Sequence, residues 1–333
     1  MKHTGNLSSE YTPSLASTRE TLRGLLLPFT TPFKPNEDID EEGLRSNLRK
    51  WNTSGIVGYV VLGSTGERVN LNEREYCRII EVAREEVPDD LVFIVGAGQQ
   101  SARGTIAEIK TAEILGAEAV MVITPSYYRS AITQDALIAY YTTVADSAPV
   151  PIILYSMPDL TGIKIEPPTV ARLSSHPNIR GIKDSSADIA TFRQTVEQVP
   201  DDFAVLTGNG TVFCDALRAG ARGAVLAVGC IAFEVCLEIW RLTMAGENDK
   251  AKRLQDQLTP LALAVTKRYG IGGLKAAMDM IGFHGGAVRA PLKPAAEDAR
   301  HEIARLLEQI RDKESFPRES ARERGELAGV FKR

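Results

Sequence analysis

Short apolar runs alternate along the chain with segments in which apolar residues recur every three or four positions. Each short run is rich in β-branched residues and is apolar throughout, which is typical of parallel strands buried on both faces. The pattern predicts eight strands, at Gly24–Pro28, Gly58–Leu62, Val92–Gly96, Ala119–Ile123, Ile152–Tyr155, Ile179–Lys183, Ala204–Thr207 and Gly223–Ala227.

The segments between the strands have the signatures of amphipathic helices. Asn72 and Glu75 make a capping-box pattern, and apolar residues follow at i, i+3, i+4 and i+7 from Tyr76 to Ala83. The same helical spacing of apolar residues recurs at Leu137, Tyr141 and Val144. These segments therefore predict that helices follow the strands, so that strands and helices alternate along the chain.

Eight such units in succession favour a closed (β/α)8 TIM barrel over an open doubly wound sheet, for which about six strands would be usual. After Ala227, about 85 further residues of helical pattern exceed what an eighth helix needs. The helices predicted there are Glu234–Met244, Lys250–Lys267, Gly273–Ile281 and Glu297–Lys313. We expect a flexible segment over residues 1–21, a barrel with a C-terminal helical appendage over 22–313, and a charged tail over 314–333.

Composition and charge narrow the class of protein. Hydrophobic residues make up 44% and charged residues 25% of the 333 positions, which is ordinary globular composition. The net charge of -4 leaves no basic excess for nucleic acid or for an anionic membrane surface. Charged residues interrupt every apolar run before the roughly 20 residues of a spanning helix. The sequence therefore predicts neither nucleic acid nor a membrane as a partner.

The cysteines and the N-terminal residues bear on the compartment. Cys77, Cys214, Cys230 and Cys236 show no C-x-x-C spacing, which favours buried thiols in a reducing compartment. Residues 1–20 lack the apolar stretch of a secretion signal. We expect a cytoplasmic protein, and a mitochondrial targeting segment stays open as an alternative.

In a (β/α)8 barrel the catalytic groups stand at the carboxyl ends of the strands. The second predicted strand runs into Gly63-Ser64-Thr65-Gly66, where unobstructed backbone N–H groups and two hydroxyls suit a carboxylate ligand. A tight turn with no ligand fits the same residues. This stretch is therefore a candidate anion-binding turn.

Two further strand ends have reactive side chains. Lys183 closes the sixth strand, where burial would lower the amine pKa from about 10.4 and activate it for attack on a carbonyl. Tyr155 ends the fifth strand, where a phenol can relay protons. A lysine whose amine extends to solvent and a tyrosine buried in the core are the alternatives.

Other chemistries lack a pattern in the sequence. His3, His176, His284 and His301 show no metal-binding spacing, so no metal is expected. The glycines after the third strand do not continue as G-x-G-x-x-G, and no P-loop occurs. We therefore expect no cofactor.

Six stretches in order along Leu22–Leu307 resemble the dihydrodipicolinate synthase and N-acetylneuraminate lyase superfamily of Schiff-base aldolases. They are LLLPFTTPF, GSTGE, TPSYYR, LYSMPDLTG, GIKDSSAD and TGNG. The resemblance implies a (β/α)8 barrel in which Lys183 forms the Schiff base, Tyr155 relays protons, and Ser64 and Thr65 seat the pyruvoyl carboxylate and complete the relay.

The resemblance also implies further site residues and an oligomer. Tyr128 matches a tyrosine that family members lend to a neighbouring subunit, which implies a homodimer or homotetramer. The remaining residues expected at the substrate are Gly63, Gly66, Leu160, Ser185, Gly208 and Asn209.

Within the superfamily, the sequence is most similar to 4-hydroxy-2-oxoglutarate aldolase, in HPNIRGIKDSSAD and AVTKRYGIGGLKAAMDMIGFHGGAVRAPL. A dihydrodipicolinate synthase would have an arginine where Leu160 stands, two residues after the proline of the Y-x-x-P loop. Histidines used for lysine feedback in some synthases are replaced by Glu73 and Tyr76. Sialic acid lyases share GSTGE and a leucine in that loop.

The predicted reaction is cleavage of 4-hydroxy-2-oxoglutarate to pyruvate and glyoxylate through a Schiff base on Lys183. The alternatives are a dihydrodipicolinate synthase, an aldolase of sugar-derived 2-oxo-3-deoxy acids and a non-catalytic barrel that binds 2-oxo acids. The expected partners are pyruvate and a small aldehyde or 2-oxo acid. The sequence leaves open the aldehyde and the physiological direction.

Overall fold

A computed structural model describes residues 22–311 of the chain. Eight parallel strands close into a barrel, in which each strand pairs with the next and the first pairs with the eighth. The strands are β1 (Leu25–Leu27), β2 (Gly58–Val61), β3 (Val92–Ala97), β4 (Ala119–Ile123), β5 (Ile152–Ser156), β6 (Ile179–Asp184), β7 (Ala204–Thr207) and β8 (Gly223–Val225). The predicted (β/α)8 barrel is confirmed.

Helices lie between the strands and continue beyond β8. They are α1 (Glu41–Trp51), α2 (Glu73–Glu86), α3 (Ala102–Ile114), α4 (Gln134–Ser147), α5 (Pro158–Thr161), α6 (Pro167–Ser174), α7 (Ile189–Gln198), α8 (Phe213–Arg218), α9 (Gly229–Met244), α10 (Asn248–Leu263), α11 (Gly270–Met280) and α12 (Glu297–Arg311). The last helices form the predicted C-terminal appendage.

The strands divide the core into two layers. Alternate strand residues point inward and fill the barrel with side chains such as Leu26, Val60, Ile94 and Met121. The other face of each strand packs against the helices. Both faces are buried, which explains why the strands are mostly apolar.

The helix signatures in the sequence are confirmed. Asn72 accepts a hydrogen bond from the backbone N–H of Glu75 at 3.0 Å, and Glu75 accepts one from the backbone N–H of Asn72 at 3.0 Å. Tyr76 and Ala83 are buried on α2, and Tyr141 is buried on α4. The capping box thus sets the start of α2, and the apolar stripe sets its buried face.

The C-terminal helix bounds differ from the prediction. The helix predicted over Lys250–Lys267 ends at Leu263, and Ala264–Arg268 winds as a π-helix with Tyr269 N donating to Ala264 O at 2.9 Å. Apolar spacing over five residues is similar in both helix types, so the pattern alone did not separate them.

Two other bounds differ as well. Helix α9 starts at Gly229, five residues before the predicted Glu234, with a break at Ala232. Helix α12 is described to Arg311, so residues 312–313 lie outside the described part of the chain.

Three features of the sequence analysis concern the chain ends and the thiols. The predicted flexible segment 1–21 and charged tail 314–333 lie outside the described residues. Cys214, Cys230 and Cys236 are buried and free as predicted, but Cys77 is only partly buried, because it lies at the edge of the packed face of α2. Between residues 22 and 311, no helix combines the length and apolarity needed to cross a membrane.

Candidate active site

Lys183 and Tyr155 stand side by side at the carboxyl end of the barrel. They are partners in the register of β5 and β6, so their side chains project from the same face of the sheet. Tyr155 belongs to the inner layer of the core, and the Lys183 ammonium nitrogen lies 4.3 Å from the centroid of its ring. The lysine and the phenol therefore share the barrel mouth.

Lys183 is buried, with 5% of its surface exposed, and Tyr155 is 4% exposed. Among residues 22–311, no carboxylate forms an ion pair with the Lys183 amine. The buried Lys183 amine therefore stands at the barrel mouth without a carboxylate partner among these residues, and a lysine there can act as a nucleophile toward a carbonyl carbon.

Gly208, in the turn after β7, packs directly against Lys183. A Cβ placed on Gly208 would lie 2.5 Å from Lys183 Cε and 2.0 Å from the Ser185 hydroxyl oxygen. The backbone N–H of Gly208 also donates to Asp184 O at 2.6 Å. The sequence analysis expected Gly208 near the substrate, and the structure shows that it leaves the space in which Lys183 and Ser185 lie.

Ser64 reaches Tyr155 across the mouth of the barrel. Its hydroxyl oxygen lies 2.8 Å from the Tyr155 hydroxyl oxygen, and either atom can be the donor. Ser64 lies in the turn Ser64–Gly66, which follows β2 and has 3-10 geometry. The predicted relay residues Ser64 and Tyr155 are therefore in contact.

The turn is bracketed by two strained residues. Leu62 and Glu67 have φ values of +59° and +56°, in the left-handed region that side chains rarely adopt. The turn is also held by the segment that follows β1, because the Thr31 hydroxyl donates to Gly66 O at 2.8 Å. Strain that surrounding structure maintains is a feature of functional sites.

Gly63, Thr65 and Gly66 are buried within this turn. The glycines at its two ends keep its backbone clear of Cβ atoms, and Thr65 supplies a second hydroxyl. The turn thus has the hydroxyls and the open backbone that a small anion would require, and Glu67 follows it directly in the chain.

The remaining residues of the inner site lie beside Lys183. Ser185 is buried, and its backbone N–H donates to Ser156 O at 3.0 Å. Burial raises the pKa of the Asp184 carboxyl, against the hydrogen bond from the Ser186 N–H. Asn209 uses its side-chain oxygen to accept from Thr211 N at 3.0 Å, so that oxygen caps the turn after β7.

Leu160, Tyr127 and Tyr128 lie at the rim and make no contact with Lys183. Leu160 is 58% exposed on α5, and Tyr127 and Tyr128 are 77% and 70% exposed in the loop after β4. The two tyrosine rings pack edge to face, with centroids 5.0 Å apart. Within one chain, the structure does not bring Tyr128 to the lysine.

Two residues that the sequence analysis did not interpret also belong to this region. Glu67 closes the GSTGE stretch, and its buried carboxylate pairs with Lys275 of α11 at 2.5 Å. The available signal was a glutamate at the end of a glycine-rich turn, but nothing in the local pattern pointed to its partner. The described residues hold no group of three or more His, Cys, Asp or Glu placed to bind a metal.

This arrangement brings together an amine that can act as a nucleophile, a phenol that can donate a proton and a turn that can bind an anion. Lys183 can attack a carbonyl carbon, and Tyr155 can move protons to and from the carbonyl oxygen. The turn at Ser64–Gly66 offers backbone N–H groups and hydroxyls to a neighbouring carboxylate.

Comparisons with known proteins identify the family of this chain. The family model described as the dihydrodipicolinate synthetase family matches residues 21–310. A 4-hydroxy-tetrahydrodipicolinate synthase of Methanopyrus kandleri is 32% identical over 287 residues, which cover 86% of this chain and 94% of that protein.

Solved structures give the same picture. A monomeric variant of dihydrodipicolinate synthase superposes with a TM-score of 0.84 at 31% identity, covering 88% of this chain and 98% of that one. A prophage protein of the dihydrodipicolinic acid synthase family from Escherichia coli K12, in complex with pyruvate, has a TM-score of 0.81 at 28% identity, covering 87% of this chain and 98% of that one.

Proposed function

Because this chain belongs to the dihydrodipicolinate synthetase family, we propose that Lys183 forms a Schiff base with a 2-oxo acid and that the main reaction is cleavage of 4-hydroxy-2-oxoglutarate. The chain is a carbon–carbon lyase of the pyruvate-dependent, class I type. The observation that carries the proposal is the juxtaposition of Lys183, Tyr155 and Ser64 at one end of the barrel.

The reaction begins at the C2 carbonyl of the substrate. The Lys183 amine attacks C2, and Tyr155 gives a proton to the oxygen, so that the carbinolamine loses water and leaves a protonated imine. Ser64 is hydrogen-bonded to Tyr155 and extends the proton relay beyond the phenol. The backbone N–H groups and hydroxyls of the turn after β2 hold the C1 carboxylate.

The imine then accepts the electrons of the bond that breaks. The C4 hydroxyl gives its proton to the Tyr155 oxygen, which lost a proton in the first step, and glyoxylate is released as the C3–C4 electron pair passes into the imine to form an enamine. Protonation at C3 and hydrolysis release pyruvate and restore the free lysine. The reverse sequence is an aldol addition.

The choice of 4-hydroxy-2-oxoglutarate rests on Leu160 and on the sequence resemblance. In 4-hydroxy-2-oxoglutarate, the second carboxylate is attached directly to C4. In the adduct of pyruvate with aspartate semialdehyde, two further carbons separate C4 from the second carboxylate. The exposed Leu160 offers no charge to the more distant carboxylate. A substrate with the nearer carboxylate does not need that contact.

A 4-hydroxy-tetrahydrodipicolinate synthase is the second candidate. The Methanopyrus kandleri relative has that name. A specific contact also favours it, because a Cβ on Gly162 would lie 3.2 Å from the Arg129 guanidinium carbon. Arg129 therefore stands beside the loop of Leu160, where a guanidinium can meet a distant carboxylate.

Two other candidates have less support. An aldolase of sugar-derived 2-oxo-3-deoxy acids would use the same lysine, tyrosine and turn with a longer aldehyde. A non-catalytic barrel that binds 2-oxo acids gives no reason for a buried, unpaired lysine beside a phenol.

We also propose that the protein acts as a homo-oligomer. The exposed aromatic pair Tyr127–Tyr128 lies in the loop after β4 and presents two large rings to its surroundings. A neighbouring subunit that covers them would receive the Tyr128 side chain at its own site, as the resemblance implies. A dimer is enough for two subunits to exchange Tyr128, and a tetramer would contain such a dimer.

Two measurements test the proposed function. Borohydride reduction with pyruvate should add one pyruvate-derived mass to the peptide that contains Lys183, and a mass on Lys267 or Lys275 instead would contradict the assignment. The ratio of kcat/KM for cleavage of 4-hydroxy-2-oxoglutarate to kcat/KM for condensation of pyruvate with aspartate semialdehyde should exceed one. If condensation is the more efficient reaction, the synthase is the correct function.

A further inference from the structure

The carboxylate of Glu67 lies beneath the turn that the proposed function assigns to the substrate carboxylate. Its side chain is completely buried. One oxygen lies 2.5 Å from Lys275 Nζ and has no hydrogen bond to any other described residue. The other oxygen accepts from Arg289 N at 3.2 Å and from Asn70 Nδ2 at 3.2 Å. Two of these three contacts come from the C-terminal part of the chain.

Lys275 is equally enclosed. Its side chain is 2% exposed, its amine donates to Ala287 O at 2.5 Å, and it lies 4.5 Å from the centroid of the Phe33 ring. Burial lowers the pKa of this lysine, and the negative charge of Glu67 acts in the opposite direction. Lys275 therefore joins Glu67, at the end of the turn, to Phe33 and Ala287.

Backbone hydrogen bonds connect Glu67 directly to Ser64. Glu67 N donates to Ser64 O at 3.2 Å, and Gly66 N donates to Gly63 O at 3.0 Å. Glu67 also has the positive φ that ends the turn. A displacement of its side chain would therefore alter the conformation at Ser64 and Thr65.

We propose that Glu67 and Lys275 are positioning residues that fix the turn Ser64–Gly66 for the substrate carboxylate and couple it to the C-terminal helices. This inference rests on the proposed function of the turn. Neither side chain reacts with the substrate. The pair acts through the geometry of Ser64 and Thr65.

A purely stabilising ion pair would behave differently in a double variant. Removal of one member of a buried pair leaves the other charge without a partner, whereas removal of both charges together is often neutral for stability. If the pair only stabilises the fold, restored stability restores pyruvate binding. If the pair positions the turn, stability recovers and binding does not.

The experiment compares Lys275→Met, Glu67→Gln and the double variant with the wild type. For each protein, the midpoint of thermal unfolding is measured, and the apparent Kd for pyruvate is obtained from borohydride trapping at increasing pyruvate concentrations. Misplacement by about 1 Å can lower a reaction rate about 100-fold. For a misplaced binding group we expect a comparable effect, and the Kd for pyruvate should rise about 10- to 100-fold in all three variants. The unfolding midpoint should fall in the single variants and return toward the wild-type value in the double variant.

Glu75→Gln is the matched control. Glu75 forms a bidentate ion pair with Arg289, whose backbone also contacts Glu67, but it does not touch the turn. Glutamine keeps the capping box of α2. This variant should lower the unfolding midpoint and leave the Kd for pyruvate within about twofold of the wild type, which is about 0.4 kcal/mol.

Three outcomes overturn the inference. The double variant could recover pyruvate binding together with stability, or the variants of the buried pair could bind pyruvate as well as the wild type. In both cases the wild type still forms its adduct on Lys183, so the proposed function stands. An absence of any adduct in the wild type instead removes the proposed function and, with it, the inference.

A measurement on the wild type covers the case in which the variants do not fold. Pyruvate should protect the amides of residues 63–67 from hydrogen exchange, and through Glu67 and Lys275 also those of residues 284–290. Protection confined to residues 63–67 would show that the turn is not coupled to the C-terminal part of the chain.

Discussion

The hydroxyl oxygens of Ser64 and Tyr155 lie 2.8 Å apart, although 91 positions separate the two residues in the chain. Ser64 follows β2 and Tyr155 lies on β5, and these strands are not neighbours in the barrel. The contact therefore crosses the barrel mouth, from the turn after β2 to a residue of the inner layer of the core. It joins the proposed receptor for the carboxylate to the phenol beside Lys183.

Tyr155→Phe removes the phenol and keeps the ring against which Lys183 lies. General acid–base groups contribute about 100- to 10,000-fold, so we expect kcat to fall by that factor while the Kd for pyruvate changes little. The measurements are steady-state kinetics and borohydride trapping. Tyr141→Phe is the control, because its hydroxyl donates to Val122 O in the core and should affect stability but not turnover. Near-normal turnover in Tyr155→Phe would show that another group relays the proton.

Gly208→Ala places a methyl group against Lys183 Cε and the Ser185 hydroxyl. Overpacking of this kind costs about 1–3 kcal/mol, and displacement of the amine should slow adduct formation with pyruvate about 100-fold. The rate of borohydride-trapped adduct measures the effect. Adding Ser185→Ala removes the closest clash and should restore part of the rate. Adduct formation at the wild-type rate in Gly208→Ala would mean that the lysine does not need this space.

Leu160→Arg adds a guanidinium to the loop after β5. Hydrogen bonds to charged groups contribute about 1.5–3 kcal/mol, so the ratio of condensation with aspartate semialdehyde to cleavage of 4-hydroxy-2-oxoglutarate should rise about 10- to 100-fold. Leu160→Gln, which is polar without charge, should shift the ratio less. An equal shift in both variants would attribute the effect to polarity or shape, and an unchanged ratio would show that Leu160 does not select the aldehyde.

Glu75 contributes to stability in a manner that depends on pH. The hydrogen bond from Arg289 is the main cause that lowers the pKa of Glu75 below its ordinary value of 4.5. Because the folded pKa lies below the unfolded pKa, the contribution is complete above about pH 4.5 and is lost as the pH falls through the folded pKa. The difference in free energy of unfolding between the wild type and Glu75→Gln should therefore shrink in acid. A difference that is independent of pH would exclude the charge as its source.

The pattern of residues along the chain was enough to predict the barrel and to mark the candidate residues of the site. Eight apolar runs, each with its helix, define the strands because local periodicity records which faces of an element are buried. Lys183 and Tyr155 could be singled out as candidates because catalytic groups in this fold stand at strand ends. The likeness to a family of Schiff-base aldolases was also visible in short stretches at those ends.

Which side chains meet could be seen only in the folded chain. The contact of Ser64 with Tyr155, the packing of Gly208 on Lys183 and the ion pair of Glu67 with Lys275 join elements far apart in the chain. A local pattern sets which face of a strand or helix is buried, but it contains no information on which residue of a distant element lies opposite. Closure of the barrel and docking of the C-terminal helices bring those residues into contact, because each apolar face must be buried against another.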